Sequence, residues 1–360
     1  MIEFWKDRRV LVTGHTGFKG SWLSLWLRML GAQVHGIALP PDPAPGLLDQ
    51  FELEPEIDHS ILDIRETEQL KKKIKAIKPE IVFHLAAQPL VRLSYQQPVE
   101  TWSTNVTGSI NVLEAIRELE EPVVAIMITT DKVYHNQEWE HGYRETDPLG
   151  GCDPYSSSKA AAEIAIASWR HSFFQDSTRC CIASARAGNV IGGGDWSQDR
   201  IFPDIIRSIR DGEPVGVRNP IATRPWQHVL EPLGGYLLLA QRLSVMQQST
   251  DREKADQYSS AWNFGPLPES NRSVRELVET ALEYWPGTWT DQSDSTAPHE
   301  AGYLGLSIDK ACRLLDWYPR WDFQKCVHST VEWYRRTIAG ESARTIAEEQ
   351  IRSYQCDSQN

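Results

Sequence analysis

The chain has 360 residues and a formal charge of −12, with a pI near 5.4. That length buries a substantial core and exceeds what one doubly wound sheet needs, so a main domain with a smaller lobe is expected. The acidic field would repel phosphate backbones and anionic headgroups, which argues against a general nucleic-acid or membrane surface. Six cysteines (Cys152, Cys180, Cys181, Cys312, Cys326 and Cys356) show neither metal-ligand spacing nor a disulfide framework; no metal is expected, and a reducing cytosol fits. The start of the chain lacks a signal-peptide layout and no apolar run is long enough to span a bilayer, so a soluble cytoplasmic protein is expected.

Apolar runs alternate with helical patterns through the first half. Strands are predicted from Arg9 to Thr13, Gln33 to Leu39, Ile81 to Leu85, Val123 to Thr129 and Arg179 to Ala187. Helices are predicted from Phe18 to Leu30, Thr67 to Ile77, Val99 to Glu118 and Pro154 to Phe174, and Pro40 to Gly46 reads as a surface loop. This alternation indicates βαβ units and an α/β fold: a Rossmann-type doubly wound parallel sheet with a smaller C-terminal α/β lobe. Residues 1–188 are assigned to the sheet domain, with later segments returning to it, 189–340 to the lobe, including a short helix from Phe202 to Arg210, and 341–360 to a surface helix with a frayed end.

"VLVTGHTGFKGSWLSLWLRMLG" sets Gly14, Gly17 and Gly20 between a strand and an amphipathic helix. Glycine lets the backbone approach a pyrophosphate, and the helix N-terminus offers it free N–H groups. The GxxGxxG spacing meets the dinucleotide fingerprint only in part. After the second strand, "VHGIALPP" carries no acidic residue for the adenosine ribose and no arginine for a 2′-phosphate. NAD is expected rather than NADP, and Asp63, with Ile64 beside it, either meets adenine or caps the next helix.

"DPYSSSKAAAE" places Tyr155 and Lys159 four apart, on one helix face. An ammonium beside a phenol lowers its pKa, so a tyrosinate can take a hydroxyl proton as hydride leaves the same carbon. "TTDKVY", from Thr129 to Tyr134, sets Asp131 and Lys132 at the end of an apolar strand. That pair reads either as a salt-bridged strand end or as two catalytic groups.

"TGHTGFKG", "HLAAQ", "NVTG", "TTDKVY" and "YSSSK", in this order, resemble the extended short-chain dehydrogenase/reductase family over roughly residues 7 to 335. Further along, "RAGNVIGGGDW", "DRIFPD" and "RPWQHVLEPLGGY" are most similar to the branch of that family that dehydrates CDP-glucose. The resemblance implies NAD as cofactor, held by Gly14, Thr16, Gly17, Phe18, Lys19 and Gly20, by Asp63 and Ile64, and by Leu85, Ala86, Ala87 and Gln88. It also implies cofactor contacts from Asn105, Thr129, Tyr155 and Lys159. It implies that Tyr155 takes the C4 hydroxyl proton while hydride passes to NAD, that water leaves across C5 and C6, and that the hydride returns to C6. The product would be CDP-4-dehydro-6-deoxy-D-glucose, a deoxysugar precursor of O-antigen or another surface polysaccharide.

Relatives commonly carry Thr-Asp-Glu where this chain carries Thr130, Asp131 and Lys132. The resemblance makes Thr130 a hydrogen-bonding partner near the C4 oxygen and Asp131 the acid for the C6 hydroxyl, a role that asks for burial. Lys132 stands where relatives have the C5 base. A lysine with an ordinary pKa of roughly 10.4 is only about one part in a few thousand neutral at pH 7. Lys132 therefore acts as a depressed base or as a charge that orients substrate and steadies an enolate. Gln88, Asn189, Arg200, Arg224 and His228 match positions that hold the nucleotide sugar.

Fourteen tryptophans raise the question of sugar stacking, but Trp22 and Trp26 at helical spacing read as core. Only Trp196 and Trp226 are candidates for the pocket. The helices from Val99 to Glu118 and from Lys159 to Phe174 carry apolar faces that would pair with a second copy in a homodimer, or a dimer of dimers, or else cover the sheet. Competing readings are another nucleotide-sugar 4,6-dehydratase, a 4-epimerase or simple dehydrogenase, and a non-catalytic NAD-sensing protein.

Overall fold

The computed structural model describes residues 2–41, 46–175, 179–249, 251–293 and 303–357. Its central strands are β1 (Arg9–Thr13), β2 (Gln33–Ala38), β3 (Asp58–Ile61), β4 (Ile81–His84), β5 (Val123–Ile128), β6 (Cys180–Ala187) and β7 (Ala261–Phe264). They form one sheet in the order β7-β6-β5-β4-β1-β2-β3, and every neighbouring pair is parallel. All six residues of β5 are buried, as expected for a strand covered on both faces. The chain order reverses between β1 and β4, which opens a crevice at the carboxyl ends of those strands.

Seven helices do most of the covering: α1 (Phe18–Met29), α2 (Thr67–Ile77), α3 (Gly108–Arg117), α4 (Pro154–Trp169), α5 (Leu230–Gln247), α6 (Phe323–Ile338) and α7 (Ala343–Cys356). The core splits into two layers. One packs Leu70, Leu113 and Ile166, from α2, α3 and α4, on one sheet face. The other packs Trp22, Trp26, Leu233, Leu237, Val331 and Ile351, from α1, α5, α6 and α7, on the opposite face. Trp22 and Trp26 are core residues, as their spacing predicts.

The predicted strands and helices of the first half agree with those observed to within a few residues, with two differences of physical interest. The helix expected from Val99 to Glu118 contains a wide π-turn at Ser103–Thr107, and the one expected to end at Phe174 becomes a π-turn at Arg170–Phe174. Such turns arise where a side chain pulls the ladder out of register; the first carries Asn105, whose amide is bonded to Gln88 and Ser158. Part of the loop expected from Pro40 to Gly46, at 42–45, lies outside the described residues, as do 358–360. No helix among the described residues is long and apolar enough to cross a membrane.

The helix expected at the C-terminal end is present at Ala343–Cys356 and is firmly docked. α7 buries Ala343, Ile346, Ala347, Ile351 and Tyr354, residues at helical spacing that form one apolar face. It docks through Glu231, in the first turn of α5, whose carboxylate accepts the Tyr354 hydroxyl at 2.9 Å and the backbone N–H groups of Arg320 and Trp321 at 2.9 and 2.7 Å. Burial pushes this carboxyl up to about 7, against the pull of those three donors. A folded pKa above the unfolded one means that the contribution to stability is complete at low pH and is lost as pH rises through about 7. The expected outcome is that wild-type stability, measured by urea unfolding against Glu231→Gln, falls by about 3 kcal/mol relative to the variant between pH 5 and 8.

Candidate active site

A cavity of about 1070 Å³ opens at the carboxyl edge of the sheet, lined by the loops after β1, β4, β5 and β6. Gly14 ends β1 at φ +76°, and a Cβ there would stand 2.7 Å from the Ala86 nitrogen. The loop after β1 therefore rests directly on the loop after β4, an approach that only glycine permits. Beneath it, the Thr13 hydroxyl meets His84 Nδ1 at 2.7 Å, and His84 Nε2 meets the Ser109 hydroxyl at 3.0 Å. At the start of α1, Gly17 supplies no side-chain cap, which leaves the first-turn N–H groups for an anion to occupy. Thr16, Phe18, Lys19, Gly20, Leu85, Ala86, Ala87 and Gln88 line this part, and Asp63 and Ile64 line its far end.

This cradle fits the diphosphate and adenosine of a dinucleotide. Asp63 does not cap a helix. Its carboxylate accepts the Arg65 backbone N–H at 2.9 Å and grips the Arg65 guanidinium with both oxygens, at 3.0 Å from Nε. Asn105 is corrected as well: it is wholly buried behind the wall, where it accepts from the Gln88 N–H at 2.9 Å and donates to the Gln88 carbonyl and the Ser158 hydroxyl. It shapes the cofactor loop from behind.

At the centre, α4 begins with Asp153 as N-cap and Pro154 in its first turn. This start aims Tyr155 and Lys159 into the cavity, beside Thr129, Thr130 and Lys132. Burial pushes the Tyr155 phenol up to about 12, with the Thr130 hydroxyl in hydrogen-bonding contact and Arg200 both pulling it down, and Asp131 pushing it up. Burial likewise depresses Lys159 to about 8 and Lys19 to about 7, the latter helped by Arg200 and opposed by Asp131. Lys159 Nζ lies 3.4 Å from the Ile128 carbonyl.

Asp131 is wholly buried just behind this wall. Its Oδ1 accepts the Thr130 hydroxyl at 2.8 Å and Lys132 Nζ at 3.3 Å, while Oδ2 is buried without a hydrogen-bond partner. Asp131 and Lys132 thus form a salt-bridged strand end, with Lys132 on the cavity side. A Cβ at Gly188 would fall 1.9 Å from Asp131 Oδ2, so the residue after β6 must be glycine for this carboxyl to sit here.

The opposite wall carries Asn189, Arg200, Arg224, Trp196 and Trp226. Asn189 has φ +26° and a buried, unpartnered Oδ1, strain of the kind found at ligand sites. Arg200 is held by Asp195 at 2.7 Å. His228 is a correction: it is fully buried between the rings of Trp22 and Trp321, at 5.9 and 4.8 Å, and belongs to the core. Sequence reasoning missed Asp195, five residues before Arg200 in "GGGDW", and the cavity-lining Arg92 and Arg218. Those two arginines meet at Asp199, with Nη1 of Arg92 at 3.5 Å and Nη1 of Arg218 at 2.5 Å. An excess of arginine in the second half hinted only at Arg218.

The sequence pattern of the GDP-mannose 4,6 dehydratase family matches residues 11–330. The chain belongs to this family. It is 46% identical, over 98% of its length and 97% of the relative's, to the CDP-glucose 4,6-dehydratase of Salmonella typhimurium. It is 24% identical to the dTDP-D-glucose 4,6-dehydratase of Bos taurus, over 92% of this chain and 90% of that one. Among solved structures, DesIV, a dTDP-glucose 4,6-dehydratase from Streptomyces venezuelae with NAD and TYD bound, superposes with a TM-score of 0.77 at 20% identity, covering 92% of this chain and 98% of that one. UDP-glucose 4-epimerase of Thermus thermophilus in complex with NAD gives 0.76 at 24% identity, covering 91% and 99%; both share the Rossmann-type fold.

The protein is an NAD-dependent hydro-lyase of this family. Glycine at 188 is a condition of the position of Asp131. Gly188→Ala is expected to displace Asp131 and lower kcat at least about hundredfold, with NAD affinity by fluorescence titration changed little.

Proposed function

We infer that the protein dehydrates CDP-D-glucose to CDP-4-dehydro-6-deoxy-D-glucose in the cytoplasm, supplying deoxysugar precursors of a surface polysaccharide. The observation that carries the reaction type is the meeting of Thr130 and Lys132 with Tyr155 and Lys159 at one cavity wall, with Asp131 buried directly behind it and bonded to both Thr130 and Lys132. Transfer of a single hydride needs only the Tyr155 and Lys159 pair. Loss of water needs a second acid and base beside it. The choice of CDP-glucose rests on the Salmonella typhimurium relative.

NAD, when bound, supplies the hydride acceptor at C4 and the donor at C6, so none is consumed overall. Tyr155 takes the C4 hydroxyl proton. A buried phenol near 12 requires added positive charge to ionise at neutral pH, and the Lys159 ammonium supplies part of it. The 4-keto group acidifies the C5 proton; Lys132 collects that proton, or holds the enolate while water carries it, Asp131 protonates the departing C6 hydroxyl, which leaves as water, and C5 is reprotonated as C6 receives the hydride. Asn189, Arg200 and Arg224 hold the diphosphate and nucleoside, guanidinium being suited to paired phosphate oxygens.

Incubation with CDP-, dTDP-, UDP- and GDP-glucose should give a 4-keto-6-deoxy sugar from the CDP compound without net NADH. An epimerised sugar or stoichiometric NADH would sink the reading. Lys132→Met is expected to keep C4 oxidation and lose C5 proton exchange with deuterated solvent, with turnover reduced about hundredfold or more. Retained exchange would show that another group is the base.

The reading includes a homodimer. Val99, Trp102, Ile164 and Phe173 are 81%, 42%, 61% and 50% exposed on the neighbouring helices Pro98–Trp102 and α4 and the turn that follows, an apolar face of the kind that self-association covers. Light scattering should report twice the chain mass, or four times it for a dimer of dimers, and Ile164→Asp should shift it toward 40.9 kDa.

A further inference from the structure

Below the catalytic pair lies a buried carboxylate that the reaction above does not use. Glu163 follows Tyr155 and Lys159 at four-residue steps on α4, which puts all three on one helix face. It is 3% exposed. One oxygen, Oε1, accepts the Thr129 hydroxyl at 2.5 Å. The other, Oε2, accepts the Ser184 hydroxyl and Arg186 Nη2, each at 2.8 Å. Arg186 Nη1 donates to the Tyr134 hydroxyl at 2.8 Å, and that hydroxyl donates to Asn263 Oδ1 at 2.7 Å. The chain of bonds joins α4 to the ends of β5, β6 and β7 and to the segment just after Asp131 and Lys132.

A buried ion pair is weak evidence of a stabilising role, since apolar residues of similar shape often serve as well or better. Its place is more telling. Thr129 is the residue before Thr130, Asp131 and Lys132, so a bond that fixes Thr129 fixes where the reactive turn starts. Burial is what acts against the Lys159 ammonium. Lys19 from α1 feels Lys159, Lys132 and Arg200 as like charges at the same cavity end, and His84 from β4 is pushed down to about 3 by its own burial and by Lys159, so it stays neutral. Asp131 and Asp153 bear on Tyr155, and Arg186 and Arg170 face Glu163 from β6 and from beyond α4. Against the burial that depresses Lys159, Glu163 is the group that opposes the shift.

We propose that Glu163 is a positioning residue for the oxidation half of the reaction: it pins the Thr129 end of β5 and supplies the buried negative charge that holds Lys159 as an ammonium beside Tyr155. This rests on the function assigned above to Tyr155 and Lys159. Loss of the charge lets Lys159 shed its proton at lower pH, and Tyr155 then loses the cation that helps it ionise.

The test is the pH dependence of kcat with CDP-glucose, alongside competitive acetylation of Lys159 across pH in NAD-free protein, read by mass spectrometry. For Glu163→Gln, the alkaline limb of kcat and the Lys159 labelling midpoint should both move down by about one pH unit. Glu163→Asp should return both toward wild type, and Ser184→Ala, which removes a neutral bond and keeps the charge, should leave both in place. An unmoved labelling midpoint in folded Glu163→Gln overturns the proposal. If Glu163→Gln does not fold, Thr129→Val decides, because it keeps the ion pair and removes the pin: kcat about tenfold lower with KM within about twofold supports the proposal, and unchanged kcat overturns it. Wild-type protein that makes no 4-keto-6-deoxy product would instead refute the assigned function, while the labelling midpoints still report on Glu163.

Discussion

Desolvation of charged groups at the carboxyl end of β5 is the constraint on which the rest of the site depends. Six buried apolar residues lead directly into Thr129, Thr130, Asp131 and Lys132, and a second set of polar groups, Tyr155, Lys159 and Glu163, closes on them from α4. Groups held there cannot rely on water, so each one's state is set by the others. Tyr155 is displaced upward and Lys159 and Lys19 downward by the same burial. The remaining bonds, from Thr130 to Asp131 and from Glu163 to Arg186, decide where charge can be kept.

The fold provides this environment through close backbone approach. Gly14 lets the loop after β1 lie on the loop after β4, and Gly188 leaves room for Asp131 Oδ2 after β6. Neither position contributes a side chain, yet each determines where a neighbouring element can sit. The α1 tryptophans act at longer range: Trp22 Nε1 donates to the Gly193 carbonyl at 2.9 Å, which ties the phosphate-loop helix to the glycine-rich segment that carries Asp195 and leads to Arg200. Cofactor and substrate walls are therefore coupled through the core.

Local pattern made the βαβ alternation, the phosphate loop and the Tyr155 and Lys159 pair legible, because each is a spacing along one strand or one helix. It failed where the deciding contact is distant. His228 lies in a segment that otherwise lines the site, but the rings of Trp22 and Trp321 enclose it. Asn105 sits in a recognisable "NVTG" and turns inward on a π-turn to hold Gln88 rather than a ligand. The last helix was legible as a helix, but what it docks on was not: Glu231 lies more than a hundred residues away in the chain.

By itself, the sequence determined the fold class, the glycine-rich loop and a set of candidate reacting groups, since hydrophobic period, glycine spacing and residue chemistry are local properties. Tertiary structure alone decided which of those groups are dry, which are paired and which face the cavity. Asp131 and Lys132 show the division. Their adjacency is visible in the six letters of "TTDKVY", while the burial of one, the partial exposure of the other and the glycine that accommodates them come from strands and helices brought together across the sheet.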